Sequence, residues 1–136
     1  MCGIYGEFFN NIPLSDKAAF LKSNAKNSNR GPDMEGYWSN EKNCQLGFRR
    51  LAILDISEQG NQPMFSFNKK FILVFNGEIY NYLSWKEDLI NEGYKFHSAT
   101  DTEVLVNCLQ FLEYSHLYIL LDLLVDYKIY ILGAKR

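Results

Sequence analysis

Histidine is scarce in this sequence. Of 136 residues only His97 and His116 carry an imidazole, and neither stands in a recognisable catalytic motif. A nucleophile activated by a Cys–His or Ser–His pair is therefore a poor fit. Cysteine is sparse too: Cys2, Cys44 and Cys108 are odd in number, widely spaced and form no CxxC. Neither a disulfide scaffold nor a metal site is expected, and a reducing cytoplasm is the expected setting. Basic tracts are missing; 14 Lys and Arg face 16 Asp and Glu, for a net charge of -2. That balance excludes an electrostatic footprint for nucleic acid. The longest apolar run, Leu117 to Val125, is broken by Asp122 and falls far short of a membrane span. The amino terminus lacks the basic-then-apolar pattern of an export leader. No repeat, low-complexity linker or phosphate-binding glycine-rich loop occurs, which argues against ATP chemistry.

What is present is the composition of one globular domain, 47% hydrophobic and 15% aromatic, in a chain long enough to bury a core. Cys2 to Phe9 predicts an opening strand. Ser15 is placed to cap a helix over residues 16–26, with Ala18, Leu21 and Ala25 on one face. Asn29 to Asp33 is a loop, punctuated by Gly31 and Pro32. Strands are expected at Tyr37 to Ser39 and Cys44 to Leu54, joined by a polar turn. The wholly apolar Phe71 to Phe75 predicts a strand covered on both faces, ending at the turn pair Asn76-Gly77. Two helices follow, one from near Asn81 to Glu92 closed by Gly93. The other opens on the capping box Thr100-Asp101-Thr102-Glu103 and carries the stripe Val104, Leu105, Cys108, Leu109 and Leu112. Strand-forming residues return at Ile129 to Leu132.

Cys2 carries the chemistry. Once the initiator Met is removed, its thiol and a free α-amino group belong to one residue. At pH 7 roughly one in seven such amines is neutral, against fewer than one in a thousand lysines. The terminus is thus a competent base beside a thiol. A lone cysteine is ordinarily a small buried hydrophobe, and that reading is kept for Cys44 and Cys108.

Cys2 has company. Cys2-Gly3-Ile4-Tyr5-Gly6, Arg30-Gly31-Pro32-Asp33, Arg50-Leu51-Ala52-Ile53-Leu54-Asp55, Asn76-Gly77-Glu78-Ile79-Tyr80-Asn81 and Thr100-Asp101-Thr102-Glu103 occur in this order. Together these blocks resemble the glutaminase domain of asparagine synthetases, class II glutamine amidotransferases with an N-terminal nucleophile. The likeness covers about residues 2–110. It implies hydrolysis of the glutamine side-chain amide through a thioester on Cys2, supplying ammonia for asparagine or a related amide. The oxyanion donors it implies are the Asn76 side-chain amide and the Gly77 backbone N–H. Arg50 would take the substrate carboxylate on its planar fork. Asp101, with Glu78, would take the ammonium. Leu51, Ala52, Ile53 and Leu54 belong to the same binding segment. The Arg30 to Asp33 loop is assigned no chemistry.

The fold implied is α+β, a four-layer αββα N-terminal-nucleophile hydrolase sandwich of antiparallel sheets. It is expected to be incomplete at the C-terminus, where residues 117–136 replace family strands and would leave a sheet edge unpaired. Asn29 stands where the family has a histidine. Residues 1–136 would form a single partial type-2 amidotransferase domain. The synthetase half, with its ATP and Mg, is absent, so no cofactor is expected here. The expected partners are glutamine and a synthetase chain, with no nucleic acid and no membrane. The competing reading is a non-catalytic remnant serving as an interaction module.

Overall fold

The computed structural model describes residues 2–53 and 55–112, and the backbone of Lys128–Gly133. The elements in chain order are β1 (Gly3–Phe8), α1 (Lys17–Ala25), β2 (Met34–Ser39), β3 (Cys44–Arg50), β4 (Met64–Phe65), β5 (Phe71–Asn76), α2 (Tyr82–Asn91), α3 (Asp101–Phe111) and β6 (Lys128–Gly133). The strands form two antiparallel sheets, ordered β1–β3–β2 and β4–β5–β6, so the chain is α+β.

Alternation along the strands assigns the faces. On β3, Cys44, Leu46 and Phe48 pack against Ile72 and Val74 of β5, with Cys2, Ile4 and Trp38 alongside. The intervening Gln45 and Gly47 face α1: a Cβ on Gly47 would stand 2.9 Å from both Phe20 and Asn24. On β5, Phe71, Leu73 and Phe75 turn the other way, into a core with Leu89 of α2 and Val104, Leu105, Cys108 and Leu109 of α3. Burying each such large apolar side chain contributes about 1.5–3 kcal/mol. Extending the two inward series by one step has a functional consequence. After Cys44, Leu46 and Phe48 comes Arg50; after Ile72 and Val74 comes Asn76. Both polar residues thus emerge at strand ends on the face where the two sheets meet, beside Cys2.

Several local expectations needed correction. Asp16, not Ser15, caps α1, its carboxylate accepting from the Ala19 N–H at 2.9 Å. Ser15 instead donates to Glu7 at 2.7 Å. The buried face of α1 is Phe20 and Asn24, while Ala18 and Ala25 are exposed. Tertiary packing sets this: the bare backbone at Gly47 makes a seat that Phe20 fills, between Tyr5 and Tyr37. The strand expected to reach Leu54 stops at Arg50, and residues beyond it form a loop. The Thr100 box is half formed. Thr100 Oγ1 accepts from the Glu103 N–H at 3.3 Å, but the Glu103 carboxylate turns to the N–H groups of His97 and Ser98. The 117–125 stretch and the expected unpaired edge lie outside the described residues.

Candidate active site

Cys2 is half-buried just ahead of β1. Its N–H donates to Asn76 Oδ1 at 3.1 Å. Its sulfur lies 3.4 Å from the Leu51 nitrogen, whose N–H it accepts, and 3.7 Å from the Leu51 carbonyl. Because Asn76 Oδ1 is engaged by Cys2, its amide N–H groups are turned to donate elsewhere. Gly77 and Glu78 follow on an exposed turn.

Arg50 is only 5% exposed. Its guanidinium donates to the carbonyls of Asp55 and of Ser57, the latter at 2.7 Å, and touches Met34 Sδ. Arg49, on the opposite face of β3, pairs with Glu35 at 2.6 Å. Among the described residues that is the one ion pair; the buried Arg50 is held directly by neutral carbonyls, with the Asp55 carboxylate near enough to feel its charge without pairing with it. Such a charge is costly unless an anion meets it.

Asp101, also 5% exposed, opens α3 and accepts from the Ile79 N–H at 2.9 Å, three residues past Asn76. Burial pushes its carboxyl up from the ordinary value, the N–H groups of Ile79 and Thr102 pull it back, and Glu78 adds to the rise. The carboxyl therefore holds its proton to higher pH in the folded than in the unfolded chain. Its contribution to stability is full below the unfolded carboxylate range and is lost as pH rises through the folded value. Asp101→Asn is accordingly expected to leave the melting temperature at pH 7 unchanged or raised. Loss of thermal stability in a melt at that pH would show that the ionised carboxylate holds the fold together.

Gly60 brings the two charged ends of the site near each other. A Cβ there would overlap the Arg50 guanidinium and lie 2.9 Å from Thr100 Cγ2, the residue next to Asp101. The structure thus joins Cys2, Leu51 and Asn76 directly, and sets the Arg50 guanidinium by Gly60 near Thr100, the residue before Asp101. Ala52 is held by its N–H, which donates to Asp33 at 2.8 Å. Ile53 is 74% exposed, and Leu54 lies outside the described residues.

Three positioning residues carried no chemical assignment from sequence. Arg30 Nε donates to the Cys2 carbonyl at 3.3 Å, and Asp33 ties both Ala52 and the Arg50 carbonyl. The Arg-Gly-Pro-Asp block was the available signal for these two. Asp55 closes the Arg50 block but was given no role there: its carboxylate accepts from the N–H groups of Ser57 and Ala99, joining the loop after β3 to the one before α3. Hydrogen bonds from the Ser57 side chain and from the Ala99 and Ser57 N–H groups hold its carboxyl down at about 2, so this tie persists until strongly acid pH. The other thiols are sequestered. Burial pushes Cys44 up to about 11, and burial reinforced by Asp88 pushes Cys108 up to about 12.

Cys2 and Asn76 thus meet directly, while the buried Arg50 is held by loop carbonyls and Asp101 by the Ile79 N–H. The chain belongs to the glutamine amidotransferase domain family, which matches residues 1–118. Within that family it is 43% identical, over 110 residues, to asparagine synthetase [glutamine-hydrolyzing] 1 of Bacillus subtilis (strain 168), covering 78% of this chain and 17% of that protein. It is 33% identical over 109 residues to asparagine synthetase B [glutamine-hydrolyzing] of Escherichia coli (strain K12), covering 78% and 19%. Amidase chry2 of Gibberella zeae is 34% identical over 119 residues, covering 78% and 17%. The chain spans less than a fifth of the length of these relatives.

Proposed function

We propose that this chain is a class II glutaminase domain that hydrolyses the side-chain amide of glutamine and supplies the ammonia for synthesis of asparagine or a related amide. The observation that carries it is the position of Cys2, whose nitrogen meets Asn76 at 3.1 Å while its sulfur rests on the Leu51 N–H at 3.4 Å. The layering of α1, two sheets and α2 with α3 supports the αββα N-terminal-nucleophile architecture for it.

With Met1 removed, the Cys2 amine takes the thiol proton, directly or through a water. The sulfur attacks the amide carbon, and the C=O pair moves to oxygen. The Leu51 N–H stabilises charge on sulfur before attack; the Asn76 amide and the Gly77 N–H receive the oxyanion after it. The C–N bond breaks as the ammonium gives its proton to the leaving nitrogen, leaving a thioester and ammonia. Water, deprotonated by the same amine, cleaves the thioester to glutamate and free thiol. Throughout, Arg50 holds the substrate carboxylate. Asp101 and Glu78 hold its ammonium, whose charge offsets the burial that raises Asp101. The thiol and amine need no cofactor; ATP and Mg would serve the synthetase that uses the ammonia, in a cytoplasmic setting that keeps the thiols reduced.

The test is ammonia and glutamate release from glutamine by the 136-residue chain, read alongside its intact mass. The expected mass lacks the initiator Met, and hydrolysis is expected only in that processed form. Full activity with Met1 retained would remove the amine from the mechanism. A processed, folded chain that releases no ammonia would favour the non-catalytic remnant.

A further inference from the structure

Gln62 is 7% exposed and lies between the two halves of the site without touching Cys2. The strand β4 pairs with β5 only at Met64↔Leu73 and Phe65↔Ile72. Pro63 has no N–H with which to extend that ladder toward Asn76. The side chain of Gln62 takes over. Its Oε1 accepts from the Phe75 N–H at 2.6 Å and its Nε2 donates to the Phe75 carbonyl at 3.1 Å. A primary amide thus imitates the next residue of an antiparallel neighbour and fixes the peptide directly before Asn76.

The second Nε2 proton has another use. It donates to Thr102 Oγ1 at 3.2 Å. With its oxygen accepting from Gln62, the Thr102 hydroxyl is turned to offer its proton to Asp101 Oδ1, 3.5 Å away. One buried side chain therefore braces the strand end that presents Asn76 and the helix turn that presents Asp101. No other rotatable side chain among the described residues is hydrogen-bonded to both Phe75 and Thr102.

From this geometry we infer that Gln62 is a positioning residue for glutamine hydrolysis, holding the Asn76 amide in line with the oxyanion. The inference rests on the glutaminase reading given above. A donor that serves the tetrahedral state alone lowers kcat when displaced and leaves ground-state affinity nearly untouched.

The experiment compares the processed wild-type chain with Gln62→Met and Gln62→Glu. Methionine is of similar size and keeps the site filled while deleting all three hydrogen bonds of the amide. Glutamate at neutral pH cannot donate to the Phe75 carbonyl, but when protonated it can both accept from the Phe75 N–H and donate to that carbonyl, restoring the strand contacts though not the donation to Thr102. The readouts are kcat and KM for glutamine, inhibition by the γ-semialdehyde of glutamate, and thermal melts. That aldehyde adds reversibly to a thiol, giving a tetrahedral oxygen for the donors to meet. Inhibition by glutamate, which forms no such adduct, is the control.

Both variants are expected to lose about 10- to 100-fold in kcat at pH 8 with KM changed less than about threefold. Semialdehyde inhibition should weaken by the same factor while glutamate inhibition is unaltered. Activity of Gln62→Glu relative to wild type should recover as pH is lowered toward 5. Unchanged kcat and semialdehyde inhibition in either folded variant would overturn the inference, as would a loss confined to KM. So would a lowered melting temperature with normal kcat. If Gln62→Met does not fold, the pH-dependent recovery of Gln62→Glu decides, and its absence overturns the proposal. An inactive, processed wild type would instead refute the glutaminase reading and this inference with it, whereas active wild type with equally active variants would refute the inference alone.

Discussion

Replacing Cys2 by alanine is expected to reduce ammonia release from glutamine by at least about four orders of magnitude, the scale seen when a covalent nucleophile is removed. The variant keeps the chain's backbone nitrogen and its bond to Asn76, so the site stays assembled and only the sulfur is lost. Cys44→Ala and Cys108→Ala are expected to retain activity. Both residues are 1% exposed, and burial holds their thiols protonated far above neutral pH. Those two variants should show their effect in a melt instead, at about 1 kcal/mol each for a small buried group lost from the core. The three variants thus separate nucleophile from packing. Equal activity in Cys2→Ala would dismiss the thioester, and a dead Cys44 variant with unchanged stability would move the chemistry elsewhere.

The next largest effect is expected at Asn76. Asn76→Ala should lower kcat by about 100- to 1000-fold, or about 2.7–4 kcal/mol in the barrier, with little change in KM. The residue does two jobs, accepting from Cys2 and donating toward the oxyanion. Asn76→Asp separates them, because a carboxylate still accepts from the Cys2 nitrogen but cannot donate. If the donor role governs the rate, aspartate should be at least as damaging as alanine. A mild aspartate variant beside a severe alanine one would show that Asn76 acts by holding Cys2. Steady-state kinetics on the two variants settle which role dominates.

How far the site could be read in advance varied by residue. Cys2, Arg50, Asn76 and Asp101 were visible because each belongs to a short contiguous block with its own chemical rationale. Alternation along a strand puts Arg49 and Arg50 on opposite faces, and only the family resemblance selects Arg50. In the structure the two do part, Arg49 to Glu35 and Arg50 to the loop carbonyls. The two-sided strand at Phe71 to Phe75 was equally plain, as an uninterrupted apolar run admits no wet face.

Gln62 was not visible, and Asp55, though it closes the Arg50 block, gave no sign of its partner. Their partners lie 13 and 44 residues away in the chain, at Phe75 and Ala99. Nothing about a lone glutamine or aspartate in a loop announces a distant backbone group it will satisfy. The buried face of α1 was misread for a related reason. Helical periodicity favoured its alanines, but the available seat was a glycine on another element.

Local order in this molecule follows from signals a few residues long. Alternation, capping and turn residues require only neighbours in the chain, and they mark the strands, the helices and the blocks that carry reactive groups. The meeting of those blocks is another matter. Cys2, Leu51 and Asn76 come together because two sheets bury Phe48, Leu46, Ile72 and Val74 against each other, bringing the strand ends that carry Arg50 and Asn76 alongside Cys2. Burial of that shared apolar face is non-directional and acts between distant segments. It therefore emerged only with the folded chain.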